Sequence, residues 1–428
     1  MELTIEKLVY GGEGLARTPE GEVIFVPLSV PGDVIDAERV VGRQKPAKAS
    51  IKALRSPGAE RVQPDCDIFG QCGGCQWQHL SLDAQRDWKQ KMVTESLVRL
   101  GKLPDVAVAK TLSPPTDGWK ARNRVQWELV PDAATQSCKL GYHAAESHTV
   151  VEFNNCPIIP APLNQLAQRL RELAQKDPKI AAKRFRVEAF ISPDETMLLI
   201  FTGEKNGSLY PLAEQLMQDF PALEGVCWVD SQTKDASPKP IAGKTSLQFA
   251  LAGNQYRVSA GQFFQTSYAG AEVLLQVLDE WLSPSVTSLL DIYAGVGLFS
   301  VHRAKRTQRV LAIESSPGAE ADALESFGLN GITNVAWKTS DARQALRTLN
   351  EAFEVAIVDP PRGGCQPEVL NWLSEHIEKQ LIYVSCNPTT LARDLKHLVA
   401  QGWKIDAVQP VDMFPQTYHV ETLVNLSR

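Results

Sequence analysis

Long apolar runs are missing from this chain. No stretch of its 428 residues is uninterrupted and apolar enough to cross a bilayer, which excludes a membrane-spanning helix. The opening residues, Met1 to Lys7, lack the basic start and apolar core of a secretory signal, so a cytoplasmic location is expected. Cysteine is scarce as well: eight residues are too few for a disulfide scaffold. The chain has no excess of positive charge. A net charge of −6 argues against a protein that coats nucleic acid, but a local basic surface remains open. There is no internal repeat and no low-complexity tract. The hydrophobic fraction of 43% and charged fraction of 22% are those of an ordinary globular chain, long enough for two or three domains.

The punctuation predicts three units in a multidomain α/β protein. Residues 1–58 hold the short strand-like runs Leu3–Ile5, Val23–Val26 and Val34–Ala37. Turn signals at Gly11-Gly12, Pro19-Glu20-Gly21 and Pro31-Gly32-Asp33 separate them, a pattern suited to a small OB-like barrel. Within and after it, Arg39, Arg43, Lys45, Lys48, Lys52 and Arg55 follow one another with no acidic residue between. That run reads equally as a solvated strand edge or as a nucleic-acid patch. Residues 59–258 form a mixed α+β central unit. It is expected to have helices over Asp83–Gly101 and Ala161–Gln175, a buried strand at Met197–Thr202 and a polar loop over Ser231–Lys244. Lys120, Arg122 and Arg124, beside Trp119, read as a solvated strand face with RNA contact as the alternative. Residues 259–428 alternate strands and helices. Strands are expected at Ser288–Ile292, Arg309–Ile313, Val335–Lys338, Val355–Val358, Gln380–Val384 and Lys404–Val411, which predicts a doubly wound, Rossmann-like domain.

The first of these strands runs into Asp291-Ile292-Tyr293-Ala294-Gly295-Val296-Gly297, a turn whose glycines let the backbone approach a nucleotide-like ligand. Ser300 stands where a dinucleotide fingerprint has its third glycine, which weakens a nicotinamide reading. Glu314 ends the second strand, placed to accept from ribose hydroxyls, and Asp341 follows the third, placed to receive an adenine amino group. Taken in order, these describe an S-adenosylmethionine site. The fourth strand ends in Asp359-Pro360-Pro361-Arg362, where two prolines stiffen the turn and hold the Asp359 carboxylate at the top of the sheet.

The fifth strand leads into Ser385-Cys386-Asn387-Pro388, which sets a thiol beside the cofactor turn. The dipole of the helix that follows would stabilise a thiolate there. Such a thiolate can add to carbon 6 of uracil and make carbon 5 nucleophilic enough to take a methyl group. A base must then remove the carbon-5 proton, and Glu421 is the candidate, with His419 in competition. The uracil must also leave its stack. Phe263, Phe264 and Phe414 are candidates to hold it, though each also reads as core. Separately, Cys66, Cys72 and Cys75 lie within ten residues on a glycine-containing loop and offer soft ligands to zinc or an iron–sulfur cluster. A fourth ligand would come from Cys156, with Cys138 as competitor.

These motifs together resemble the RNA uracil-5 methyltransferases, in particular their bacterial 23S ribosomal RNA branch. The resemblance is carried by Phe263-Phe264-Gln265-Thr266-Ser267, the glycine-rich turn, Val358-Asp359-Pro360-Pro361-Arg362-Gly363, Ser385-Cys386-Asn387-Pro388 through Asp394, and Phe414–Glu421. It implies Cys386 as nucleophile and Glu421 as base, and Gln265, Tyr293, Glu314 and Asp359 about S-adenosylmethionine, to which the reading of the strand ends adds Gly295 and Asp341. It also implies a 4Fe-4S cluster on Cys66, Cys72, Cys75 and Cys156, and an RNA partner without an obligate protein partner. The first unit is similar to a TRAM domain, which points to ribosomal RNA over the tRNA uridine-54 branch, expected to resemble only the later domains. Leu298 departs from the asparagine the family often has after the second glycine. Other readings are a tRNA uracil-5 enzyme, a cytosine-5 methyltransferase, a radical methylthiotransferase and a non-catalytic RNA-binding protein. In enzymes resembling the amine methyltransferases an aromatic residue would stand where Arg362 does. Cytosine-5 enzymes typically carry a second cysteine after the proline turn, and Cys365 is out of register for that.

Overall fold

A computed structural model describes residues 1–40, 47–233 and 236–428. Strands Glu2–Leu8, Gly14–Arg17, Val23–Val26, Val34–Arg39 and Ala47–Ser56 close into a small barrel. Its alternating residues, among them Leu3, Ile5, Ile24, Val26 and Ile35, fill the interior. The basic run on its last strands is neutralised. Arg39 pairs with Glu22, Lys48 with Glu13 and Glu146, Lys52 with Glu38, and Arg55 with Asp36. The described part of that run is therefore an ion-paired strand face and not a free phosphate-binding stripe. Arg43 and Lys45 lie outside the described residues.

The central sheet has seven strands, with Phe185–Ile191 and Met197–Gly203 near its middle. Helices Ala161–Lys176 and Leu209–Asp219 contribute Leu163, Leu166, Leu170, Leu212 and Leu216 to the core beneath it. The polar stretch after Ser231 is not wholly a loop: Lys239–Gly243 forms the sheet's outermost strand. Pro240 lacks an amide, and an edge strand tolerates that.

The C-terminal sheet runs Val335–Thr339, Thr307–Glu314, Val286–Ile292, Phe353–Val358, Ile377–Ser385, Glu421–Ser427, Lys404–Val411. The first five are parallel. Glu421–Ser427 is reversed and inserted between the fifth strand and the edge. The sequence reading missed this strand. Its residues Thr422, Leu423, Val424 and Leu426 are all buried, so no alternation marks it.

Helix Leu82–Ser96 joins the central unit to this sheet. Gln85 and Lys89 stand on its buried stripe with Met92, Val93 and Ser96. Lys89 is wholly buried, pairs with buried Asp412 and donates to the Phe414 carbonyl. Gln85 Oε1 accepts from the Gln416 amide at 2.8 Å, and its Nε2 donates to Gln416 Oε1 at 3.1 Å. The amides of Gln76 and Trp77 donate to the Gln416 carbonyl. The segment ahead of Glu421 is thus held by residues more than three hundred positions earlier. No described helix is long and apolar enough to span a membrane.

Candidate active site

The candidate cleft is the switch point between Val286–Ile292 and Phe353–Val358, where the strand order reverses and open α/β sheets bind ligands. On the cofactor side, the turn after Ile292 needs three residues at positive φ: Tyr293 at 65°, Gly295 at 55° and Gly297 at 88°. Such a φ is strained for a tyrosine, and strain of this kind gathers at functional turns. A Cβ on Gly295 would meet nothing within 4 Å, so this position faces open space. The Gly295 amide donates to Glu314 Oε2 at 3.0 Å, while Glu314 Oε1 accepts from the Ser315 and Ser316 amides at 2.6 and 2.9 Å. Glu314 therefore fixes the glycine turn against its own strand end. Ser300 serves the strand below: its hydroxyl donates to buried Asp291 Oδ2 at 2.6 Å, and burial pushes the Asp291 carboxyl up to about 6.

Other predicted cofactor residues are placed less directly. Gln265 is buried, and its carbonyl accepts from Asn123 Nδ2 at 3.0 Å. Asp341 is exposed and caps helix Ala342–Arg347, its Oδ1 accepting from the Gln344 amide at 3.2 Å. The Tyr293 ring packs towards the core against Cys365, and burial there raises its phenol well above the usual range. Phe264 is core, Phe263 is 60% exposed and Phe414 is half-buried.

The reversed strand builds the other half of the site. Ser385 pairs with Thr422, so the next residues outward, Cys386 and Glu421, emerge side by side at the sheet's end. Burial, with the charges of Glu421 and Asp359, pushes the Cys386 thiol up to about 11, and only Arg362 pulls the other way among the nearby side chains. The expected thiolate-stabilising helix dipole does not prevail. At the start of helix Pro388–Ala400, Asn387 Oδ1 already takes the Thr389 amide at 3.0 Å. Burial and neighbouring Asp359 raise the Glu421 carboxyl well above its ordinary value, against Arg362. Glu421 Oε1 is buried and has no hydrogen-bond partner among the described residues. Burial, then Asp291, raises Asp359 to about 7. His419 is pushed the opposite way, to about 4, by burial and by Arg362, Arg122 and Lys89. Of the two candidate bases, Glu421 is shifted towards holding a proton and His419 away from it.

Motif residues around these groups brace the two loops. Asn387 Nδ2 and Thr390 Oγ1 donate to the Arg362 carbonyl at 3.0 and 3.2 Å. Asp394 Oδ2 accepts from the Cys365 amide at 2.8 Å and from the Tyr383 hydroxyl at 2.6 Å. Gly364, at a φ of 75°, could not carry a Cβ without approaching Arg393 to 2.5 Å. Cys365 is thus a buried brace, out of the cleft.

A second cavity, of about 290 Å³, is lined by Cys66, Cys72, Cys75 and Cys156 with Ile68, Phe69, Ile158 and Arg122. Cys138 is instead packed in the central core. Burial holds the Cys72 and Cys75 thiols up at about 11 and about 12 and raises Cys156 likewise. No described group of three His, Cys, Asp or Glu side chains is arranged to hold a single metal ion. Arg124 is committed to Glu188 and the Gln262 carbonyl, so it is a structural contact and not a solvated face. Sequence reasoning did not find Tyr10, Lys89 or Gln85 near the site. None of the three carried a local signal: Gln85, Lys89 and Ser96 are half of the buried face of helix Leu82–Ser96, so no apolar stripe sets them off.

Comparison with known proteins bears on what this arrangement does. The model of a family described as tRNA (Uracil-5-)-methyltransferase matches residues 139–428. An uncharacterized RNA methyltransferase of Thermosynechococcus vestitus is 31% identical over 443 positions, covering 100% of this chain and 98% of that protein. Another, of Halalkalibacterium halodurans, is 30% identical over 446 positions, covering 100% and 96%. Among solved structures, the Pyrococcus abyssi tRNA (uracil-54, C5)-methyltransferase in complex with S-adenosyl-L-homocysteine superposes with a TM-score of 0.79 at 25% identity. That match covers 100% of both chains. It overturns the expectation that a tRNA uracil-54 enzyme would share only the later domains.

Proposed function

This chain belongs to the RNA (uracil-5-)-methyltransferase family, and from that premise we propose that it methylates carbon 5 of a uridine in 23S ribosomal RNA through Cys386 and Glu421. The observation that carries this chemistry is the pairing register that delivers a thiol and, among the described residues, an unpartnered buried carboxyl side by side; the choice of ribosomal RNA rests on the motif resemblance to the bacterial 23S branch. In the proposed reaction the Cys386 thiol first gives its proton to solvent, and the thiolate adds to carbon 6 as the ring double bond shifts into an enolate, which makes carbon 5 a nucleophile. S-adenosylmethionine supplies the methyl group as a sulfonium and leaves as S-adenosylhomocysteine. Glu421 then takes the carbon-5 proton, the sulfur–carbon bond breaks, and the ring double bond returns. Gln265, Tyr293, Gly295, Glu314, Asp341 and Asp359 are assigned to the cofactor side, with Tyr293 and Asp341 contributing mainly backbone shape and a helix cap. In this division residues 1–58 are a TRAM-like RNA-binding barrel, 59–258 carry the thiol cavity and 259–428 the transfer chemistry.

The full-length likeness to a tRNA uracil-54 enzyme favours a second reading, tRNA as substrate. Mapping 5-methyluridine in ribosomal and transfer RNA of cells with and without the gene tests both. A position lost from 23S ribosomal RNA supports the first reading, and one lost only from tRNA replaces it.

Arg362 is the cation that draws both Cys386 and Glu421 towards ionisation. Arg362→Ala is expected to move the rising limb of the rate against pH to higher pH, because both acids lose that stabilisation. Initial rates between about pH 6 and 10 would show it. An unmoved limb would mean that Arg362 does not govern the ionisation.

Four thiols around one cavity suit a polynuclear iron–sulfur centre on Cys66, Cys72, Cys75 and Cys156. Burial disfavours the charged forms of Cys72, Cys75 and Cys156, and the iron of a 4Fe-4S cluster would supply compensating positive charge. Protein prepared without oxygen is expected to be brown and to hold about four iron atoms per chain, lost in Cys75→Ala. A colourless, zinc-loaded preparation would refute the assignment.

A further inference from the structure

The N-terminal barrel packs an aromatic residue, Tyr10, against the segment that precedes Glu421. Its turn from Val9 to Gly14 is pressed against the later chain: the Gly12 carbonyl accepts from Trp77 Nε1 at 3.0 Å. A Cβ on Gly12 would stand 2.8 Å from the Tyr418 ring and 3.3 Å from Gln76. Two residues earlier, the Tyr10 ring meets Tyr418 edge-on, at 5.5 Å and 89°. Tyr418 lies 4.2 Å from His419, and His419 lies 6.0 Å from Phe414, all within seven residues of Glu421. This aromatic row links the barrel to the segment that immediately precedes Glu421. Leu8, Trp77, Leu80 and Met92 form a shared core behind it, so the contact between the units is fixed.

The Tyr10 phenol is half-buried, and no hydrogen bond to it exists among the described residues. It is within electrostatic reach of Cys386, Arg362 and Glu421, and burial keeps it protonated, up to about 12. A neutral phenol O–H is a donor, and an unstacked uracil presents two carbonyl acceptors. Tyrosine also offers a rigid flat wall at small entropic cost.

We infer that Tyr10 forms one wall of the target-base pocket and donates its O–H to the target nucleotide, so the barrel positions the base over Cys386. This rests on the reading of Cys386 as the nucleophile. Tyr10 is a positioning residue, separate from the bond-making groups.

The test uses full-length protein and 5-fluorouridine-substituted transcripts of 23S ribosomal RNA and of tRNA, on which the adduct cannot be resolved by proton loss. Tyr10→Phe is expected to slow adduct formation at Cys386 about tenfold at saturating RNA, with RNA affinity and melting temperature unchanged. Tyr10→Ala should slow it further, about a hundredfold. Wild-type rates in both variants would overturn the inference. So would a loss confined to RNA affinity with the saturating rate intact, which would make the barrel a tether. If Tyr10→Ala fails to fold, Tyr10→Phe decides alone. A wild type that forms no adduct at Cys386 on either transcript brings down the catalytic reading and this inference together. A wild-type adduct with unaffected variants removes this inference only.

Discussion

Cys386→Ala is expected to abolish methyl transfer, by at least about 10⁴-fold, while leaving the fold intact. Uracil carbon 5 does not attack a sulfonium unaided, and no other thiol in the described structure reaches the cleft to replace Cys386. Cys365 is buried under Asp394, and Cys227 and Cys138 lie in the central sheet. Cys386 is itself half-exposed, and truncation to alanine removes one atom, so the stability change should stay within about 1 kcal/mol. Transfer of labelled methyl groups to RNA, read beside a melting curve, checks both parts. Residual activity within about tenfold of wild type would sink the covalent reaction.

Glu421→Gln should separate two steps that the wild type runs together. The amide cannot take the carbon-5 proton, so methylated RNA is expected to remain bonded to Cys386, and turnover should fall by about 10³-fold. A denaturation-stable protein–RNA band carrying the label is the readout, and free methylated RNA formed at wild-type rate would contradict it. The same change should alter stability in a pH-dependent way. The Glu421 carboxyl is raised above its unfolded value, so its contribution is complete at acid pH and is lost as pH rises through the folded value. Glutamine has no charge to bury. The variant should melt near the wild type at acid pH and above it as the pH increases, a gap that widens upward. Function here costs stability, in the way active sites commonly do.

Much of this was legible because parallel strands buried on both faces read as apolar runs. Val286–Ile292, Thr307–Glu314, Phe353–Val358 and Ile377–Ser385 all appear that way, each ending at a loop the motifs marked. What was illegible depends on distance along the chain. Cys386 and Glu421 meet through the reversed strand Glu421–Ser427, whose pairing partner cannot be read locally. The expectation of an ionised thiol came from the helix start alone. The opposing carboxylates arrive from other strands, and Asn387 takes the first amide. Asp341 was placed correctly after its strand, yet its carboxylate is engaged in a helix cap. Tyr10 gave no sign at all, since only tertiary packing carries a barrel turn to Tyr418. Lys89 was missed for a related reason: Gln85 and Ser96 share its buried face, so no apolar stripe marked it as a core position.

The clamp on Gln416 and Asp412 sets a limit on how this protein can be divided. A fragment starting at residue 259 would keep the nucleophile, the glycine turn and the whole parallel sheet. It would lose Lys89, Gln85 and the two amides after Cys75, so Asp412 would lose its counterion and the Gln416 backbone its partners. With Asp412 open to water and Gln416 unclamped, nothing from the earlier chain would hold the segment ahead of Glu421 in place. Proton removal would then fail in a fragment that still binds its cofactor, so an autonomous catalytic module cannot be cut from this chain at that point.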